Sequence, residues 1–294
     1  MFLAPNNYFY LLYLQGLTVI NYLNMIEVRN VKIGSGLPFV LIAGPCVVEN
    51  EKVTMQTAEQ VKSITSKLHI PFIFKSSYKK ANRTSVNSFK GIGDSEAIQI
   101  LKKVGEQLRI PVLTDVHSVD EVSIAASCAD ILQIPAFLCR QTELLVAAGK
   151  SGKAVNVKKG QFLAPEDMKF AIEKIESTDN KKILLTERGS TFGYKDLIVD
   201  MRSLLIMKKF GYPVVMDATH SVQQPGSGGK TGGQIEFIKP LSKAAAAVGI
   251  DALFLEVHPD PANALSDSES QLPLSELENL LIEVKEIDSL TKKL

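Results

Sequence analysis

Eight times between Phe39 and Pro259, a short apolar run climbs into polar or charged residues and stops. The first is Phe39-Val40-Leu41-Ile42, ended by Ala43-Gly44-Pro45-Cys46. Proline lacks the N–H that would continue a ladder, and glycine admits the sharp turn. Runs that are apolar at every position suit strands buried on both faces, as in a parallel sheet. The eight candidates are Phe39–Cys46, Pro71–Ser77, Pro111–His117, Ile131–Phe137, Ala154–Gly160, Ile183–Gly189, Pro213–His220 and Ala252–Pro259.

Between the runs the apolar residues shift to helical spacing. Ala58, Val61, Ile64 and Leu68 form one stripe, and Ala97, Leu101, Val104 and Leu108 another. Leu197, Met201, Leu204 and Leu205 form a third, with Lys208 and Lys209 at the end where cations suit the helix dipole. An alanine-rich stretch from Lys243 to Gly249 allows a helix to approach a sheet closely, and a final amphipathic helix spans Ser275 to Lys292. Ahead of the first run, Ile26 to Ile33 alternates apolar and polar residues. It reads as half of an N-terminal β-hairpin, with Gly34-Ser35-Gly36 as the turn. Eight strands alternating with eight helices over about 270 residues fit a closed (β/α)8 TIM barrel. The alternative is an open doubly wound sheet. Against it, no GxGxxG follows the first run, and polar residues decorate every strand end rather than one switch point.

Composition narrows the function. A formal net charge of +1 gives no reason to expect nucleic acid or a polyanionic membrane as partner. Three cysteines, Cys46, Cys128 and Cys139, form no CxxC pair and leave one over, which argues for a reducing, cytoplasmic setting. Residues 1–24 stand apart: they carry no charged residue and four of the seven tyrosines. The segment lacks a basic n-region and is broken by Pro5, Asn6, Asn7, Gln15 and Gly16. It reads as an uncertain N-terminal extension from an upstream start, with Met25 opening a single catalytic domain over residues 25–294. A signal peptide, a membrane anchor and an extra amphipathic segment are the other readings. Stable membrane association is not expected.

In a (β/α)8 barrel the chemistry sits at the carboxyl ends of the strands. Two sets of residues share that address. Lys75, Lys80, Arg83, Arg140, Lys158 and Arg188 are cations in strand-end segments, a concentration that suits phosphate or carboxylate. Cys46, His220, Glu256 and Asp267 offer thiolate, imidazole and two carboxylates, a reasonable donor set for a divalent transition metal, although the spacing alone is unspecific. Asp115 with His117, and Asn156 with Lys158, lie two apart and so share a strand face.

Several longer stretches resemble one family. They are Ala43-Gly44-Pro45-Cys46, Phe74-Lys75-Ser76-Ser77, Lys80-Ala81-Asn82-Arg83-Thr84-Ser85 and Gln133-Ile134-Pro135-Ala136-Phe137-Leu138. Further along come Asn156-Val157-Lys158-Lys159-Gly160-Gln161-Phe162, Glu187-Arg188-Gly189-Ser190, Asp217-Ala218-Thr219-His220 and Glu256-Val257-His258-Pro259-Asp260-Pro261. From about Met25 to the end the chain is similar to the 3-deoxy-D-manno-octulosonate 8-phosphate synthases. The resemblance implies a transferase that condenses phosphoenolpyruvate with D-arabinose 5-phosphate and water, in the route to the inner sugar of lipopolysaccharide. It implies a divalent metal ion (iron, zinc, manganese or cobalt), no organic cofactor, and a homotetramer. Members with asparagine in place of Cys46 dispense with the metal; Cys46, Asp267 and Gln271-Leu272-Pro273 agree with the metal-requiring class.

Carried over by residue, the resemblance places the metal on Cys46, His220, Glu256 and Asp267. Lys158 and Arg188, with Arg140 near them, would bind the phosphoenolpyruvate phosphate. Lys75, with Ser76 beside it, and Lys80 would meet its carboxylate and the reacting centre, and Gln133, Pro135 and Ala136 would complete the substrate pocket. Asn82, Arg83 and Thr84 would contact the sugar phosphate, with Arg83 on its phosphate. Asp115 and His117 would lie near the sugar hydroxyls, the metal and the attacking water. The nearest rival is a 3-deoxy-arabino-heptulosonate 7-phosphate synthase using erythrose 4-phosphate, whose family has lysine-proline-arginine where this chain reads Lys80-Ala81-Asn82-Arg83. A catalytically inactive barrel acting as a scaffold is the alternative of a different class.

Overall fold

The computed structural model describes residues 25–293 except 35, 83, 84, 195, 228 and 229. The expectations for residues 1–24, Arg83 and Thr84 lie outside the described residues. Eight parallel strands form the centre: β1 (Val40–Gly44), β2 (Phe72–Lys75), β3 (Val112–Asp115), β4 (Ile131–Ile134), β5 (Ala154–Lys158), β6 (Ile183–Glu187), β7 (Val214–Asp217) and β8 (Ala252–His258). Each pairs with the next, and β8 pairs with both β7 and β1, so the sheet closes on itself. Outside it run α1 (Glu51–Lys67), α2 (Asp94–Gln107), α3 (Glu121–Ala126), α4 (Thr142–Lys150), α5 (Met168–Glu176), α6 (Met201–Lys208), α7 (Ile238–Val248) and α8 (Leu274–Lys292). This is the (β/α)8 barrel that the alternation of runs predicts. Among the described residues no helix is long and apolar enough to cross a membrane.

The period-2 geometry of strands sorts residues to the two faces of the wall. Outward residues such as Leu41, Phe74, Leu132, Leu185 and Leu253 pack under the helices in one large core. Inward residues change character along the barrel axis. At the amino end they are Val40, Ile42, Ile73, Leu113, Ile131, Ala154, Leu184, Val215 and Ala252, which join a second apolar cluster. At the carboxyl end the same parity brings in Lys75, Asp115, Gln133, Asn156, Lys158, Asp217 and Glu256, all buried. Phe254, fully buried, lies at the boundary between the two zones.

The hairpin closes the amino end. Ile26, Val28, Val31 and Ile33 belong to the inner apolar cluster, so the hairpin plugs the barrel floor. Its turn is not Gly34-Ser35-Gly36, as the glycines suggest, but Arg29-Asn30, since Val28 pairs with Val31 and Ile26 with Ile33. Arg29 adopts φ 52°, uncommon for a residue with a Cβ. The guanidinium compensates: it donates to Asp130 Oδ1 at 2.9 Å and to the Gly105 and Ile110 carbonyls at 2.9 and 3.1 Å. A second correction concerns Leu197. It lies in a two-residue strand, Leu197–Ile198, paired with Ser190–Thr191, and the helix begins only at Met201, where the Asp200 side chain accepts from Arg202 N–H. Lys208, at the end of α6, is buried and donates to the Gly249 carbonyl.

Candidate active site

Phe254 forms the base of the polar end. Lys158 Nζ stands 3.9 Å and Lys75 Nζ 5.5 Å from its ring centroid, where the ring quadrupole attracts cations. Above the ring runs a chain of buried charges. Lys75 Nζ donates to Glu256 Oε1 at 2.5 Å and to the Cys46 carbonyl at 3.1 Å, and Lys80 Nζ lies 3.8 Å from the same Glu256 oxygen. Across the mouth, Lys158 Nζ donates to Asp217 Oδ2 at 2.5 Å. The His220 ring joins the two halves, with Nδ1 2.8 Å from Asp217 Oδ2 and Nε2 3.6 Å from Glu256 Oε1.

These contacts decide protonation. Burial alone would push the Asp217, Asp115 and Glu256 carboxyls up, but the surrounding cations outweigh it and hold all three below the usual carboxylate range. Burial lowers Lys158 despite Asp217 beside it. For Lys80 burial is outweighed by the acidic groups Cys46, Glu256, Asp115 and Asp267, so its ammonium is held charged. Arg188 is 6% exposed; its Nη2 donates to Gln223 Oε1 at 3.1 Å, while Nη1 is buried with no hydrogen-bond partner among the described residues. A buried guanidinium N–H without an acceptor is a socket for an anion.

The donors for a metal converge on the same mouth. Ligand atoms of Cys46, Glu256 and Asp267 lie within 4.8 Å of one another. Cys46 Sγ is 3.1 Å from Ser266 Oγ and 3.5 Å from Asp267 Oδ2, and the Cys46 N–H donates to Gln271 Oε1 at 3.1 Å. Gly44 lets the chain reach this place, because a Cβ there would collide with the Lys75 carbonyl oxygen. Two observations show that the residues fit a cation. Glu256 Oε2 is buried without a hydrogen-bond partner among the described residues. His220 Nδ1 is 2.8 Å from Asp217 Oδ2, which leaves Nε2 facing Glu256 Oε1 at 3.6 Å, on the side of the other donors. Without a cation, burial and then the charges of Asp267 and Glu256 push the Cys46 thiol up.

A hydrogen-bond relay lines the opposite wall. Thr186 Oγ1 donates to Asn156 Oδ1 at 2.6 Å, Asn156 Nδ2 to Gln133 Oε1 at 2.9 Å, and Gln133 Nε2 to Asp115 Oδ1 at 2.5 Å. Ser77 Oγ donates to the other Asp115 oxygen at 2.5 Å. Ser76, by contrast, is fully buried and its hydroxyl has no partner among the described residues.

The structure therefore gathers Lys75, Lys80, Asp115, Gln133, Lys158, Arg188, His220, Glu256, Cys46 and Asp267 around one mouth. Ala136 is buried and Pro135 half-buried in the turn after β4. Three expected residues sit apart from the buried group. His117 turns to α3, where its ring Nδ1 is 3.0 Å from Glu121 Oε2. Asn82 is exposed. Arg140 is exposed on the outer flank, where it lines a groove of about 370 Å³ with Phe170 and Lys174 of α5. Sequence reading missed Asp217, Ser77, Gln223 and Phe254. Strand parity could have found Asp217 and Phe254, two residues from inward-facing neighbours; nothing in the spacing marks Gln223, which links Arg188 to Asp267 (Nε2 to Oδ2, 3.2 Å).

Comparison with known proteins follows the same lines. Residues 19–293 match the DAHP synthetase I family. A 2-dehydro-3-deoxyphosphooctonate aldolase from Geotalea uraniireducens is 58% identical over 268 residues, covering 91% of this chain and 98% of that protein. Proteins of the same name from Geobacter metallireducens and Trichlorobacter lovleyi are 57% and 55% identical with the same coverage.

Proposed function

The chain belongs to the DAHP synthetase I family, and from that premise we propose that it condenses phosphoenolpyruvate with D-arabinose 5-phosphate and water, giving 3-deoxy-D-manno-octulosonate 8-phosphate and inorganic phosphate. The octulosonate reading is preferred to the heptulosonate one because the full-length relatives at 55–58% identity carry the aldolase name. The geometry supports it through one observation: cations and metal-competent donors share a single buried mouth, joined by the Lys75–Glu256 and Lys158–Asp217 pairs.

Lys158 and Arg188 hold the phosphoenolpyruvate phosphate, which satisfies the orphaned Arg188 Nη1 and relieves the desolvated Lys158. Lys75 and Lys80 face the carboxylate and the reacting carbons. Fixing both substrates is worth up to about 7–11 kcal/mol in favourable intramolecular cases. The C3 carbon of phosphoenolpyruvate attacks the sugar aldehyde carbon. Positive charge develops at C2 and negative charge at the former aldehyde oxygen, which the charged Lys80 stabilises. Water then adds at C2, and the hemiketal phosphate expels phosphate by C–O cleavage. Asp115, ionised and held on both oxygens by Ser77 and Gln133, orients a hydroxyl or the water from the opposite wall. Asn82, Arg83 and Thr84 are assigned to the arabinose 5-phosphate, with Arg83 on its phosphate, and His117 with Asp115 to the sugar hydroxyls, the metal and the attacking water.

Cys46, His220, Glu256 and Asp267 would hold a divalent ion, iron, zinc, manganese or cobalt. Bound there, it supplies Lewis acidity toward a sugar or water oxygen. Arg140, exposed on the flank, keeps its assignment near the phosphoenolpyruvate phosphate, and the homotetramer is the assembly that the family resemblance implies. The enzyme acts in the cytoplasm on soluble phosphates, in the route to the sugar of lipopolysaccharide. Phosphate release from phosphoenolpyruvate tests the reading. Turnover with arabinose 5-phosphate, lost with chelator and restored by metal, is expected. Preference for erythrose 4-phosphate would move the chain to the rival activity, and turnover surviving exhaustive metal removal would reject the metal requirement.

A further inference from the structure

Three chain segments carry the three residues grouped about the cation position. The stretch after β1 carries Cys46, the end of β8 carries Glu256, and the loop after β8 carries Asp267. One side chain outside that group reaches all three segments. Glu49 lies three residues beyond Cys46 and is buried, at 8% exposure. Its Oε1 accepts the Leu265 N–H at 2.8 Å, two residues before Asp267. Its Oε2 faces His258 Nε2 at 3.6 Å, two residues beyond Glu256. His258 Nδ1 accepts the Asp260 N–H at 3.0 Å, which puts the ring proton on Nε2, the side of the carboxylate.

A buried carboxylate is costly unless it is satisfied, and the reaction described above makes no use of this one. What it does is visible in the loop. Asp267 is held at φ 48°, in the left-handed region, and such a residue persists only where its surroundings fix it. Downstream, Gln271 fixes it, donating to the Ser266 carbonyl at 2.8 Å while accepting the Cys46 N–H. Upstream, the tether is Glu49. With both in place, Asp267 Oδ2 stands 3.5 Å from Cys46 Sγ.

We propose that Glu49 is a positioning residue for a divalent-metal site: by accepting the Leu265 N–H it fixes the loop that presents Asp267 to Cys46 and Glu256. The inference rests on the metal reading of the site. Partners behind metal ligands typically govern affinity by about 10- to 100-fold.

Cobalt(II) titration of the metal-free full chain tests it, following the near-ultraviolet thiolate-to-cobalt absorption and the Kd. Wild type shows the band, and Cys46→Ala abolishes it. Glu49→Ala is expected to raise the cobalt Kd by about 10- to 100-fold and weaken the band. Glu49→Gln keeps an oxygen acceptor for the Leu265 N–H and is expected within about threefold of wild type, with the band intact. Glu49→Asp preserves charge but withdraws the carboxylate by one methylene; it is expected to weaken binding several-fold even if Glu49→Ala does not fold. Wild-type affinity and band in Glu49→Ala or Glu49→Asp would overturn the proposal, as would Glu49→Gln binding as poorly as Glu49→Ala. A wild-type chain with no thiolate band would overturn the metal reading itself, and this inference with it.

Discussion

Cys46, Cys128 and Cys139 are all free and buried, and burial raises the pKa of each. Cys128 is pushed up to about 12, so at pH 8 about one thiol in 10⁴ is ionised. Metal-free native protein is therefore expected to resist a thiolate-specific alkylating reagent at pH 8 and to react at three sites once unfolded, counted by mass spectrometry. Rapid modification of Cys46 in the native chain would mean that the site opens. The same residue shows why single positions were legible. Cys46, His220, Glu256 and Asp267 are legible in sequence as one donor set because each follows or ends a buried strand near the mouth, and the structure draws the ligand atoms of Cys46, Glu256 and Asp267 within 4.8 Å of one another. Asp217 stands out in the sequence only as part of a motif, since nothing in one strand reveals that a lysine two strands away, Lys158, needs a counter-ion. His117 was drawn to Glu121 for a reason invisible to strand parity: Glu121 also accepts the His117 backbone N–H at 2.8 Å and pairs with Lys79.

At the scale of elements, all eight strands are readable because apolar runs and polar ends agree within each unit; α1, α2, α6, α7 and α8 show in their apolar spacing, whereas α3, α4 and α5 follow only from the alternation. The exceptions were local contests that tertiary contacts won. The glycine pair at 34 and 36 does carry a turn, with the Leu37 N–H donating to the Gly34 carbonyl at 3.2 Å, but it leads out of the hairpin; the hairpin's own turn falls at Arg29, whose three hydrogen bonds to the barrel wall hold a backbone that glycine would adopt freely. Plugging the floor should matter for stability more than for chemistry. Ile33 is fully buried in the inner cluster, and Ile33→Ala is expected to lower unfolding stability by about 2–5 kcal/mol. Denaturant melts measure the loss, and kcat/KM per folded molecule should stay at the wild-type value. A matching loss of kcat/KM would show that the floor and the mouth are coupled.

At the scale of the molecule, we propose that residues 25–294 form the catalytic unit. The hairpin that begins at Ile26 closes the barrel, and the family match runs over nearly the whole of that span. A chain truncated to 25–294 is expected to keep its melting temperature, its turnover and a tetrameric mass by light scattering. Phe137, Phe162 and Phe192 are exposed aromatics, at 58%, 57% and 68% exposure. A fully active monomer would remove assembly from the account. The graded interior of the barrel has one more consequence. With the hairpin driven into its amino end and the Phe254 ring above it, the vessel is a cul-de-sac. A passage closed at one end has a single opening, so whatever reaches the ring and whatever leaves it crosses the same carboxyl-end mouth. That single entrance is set by a cork and a ring that take no part in the bonds being made.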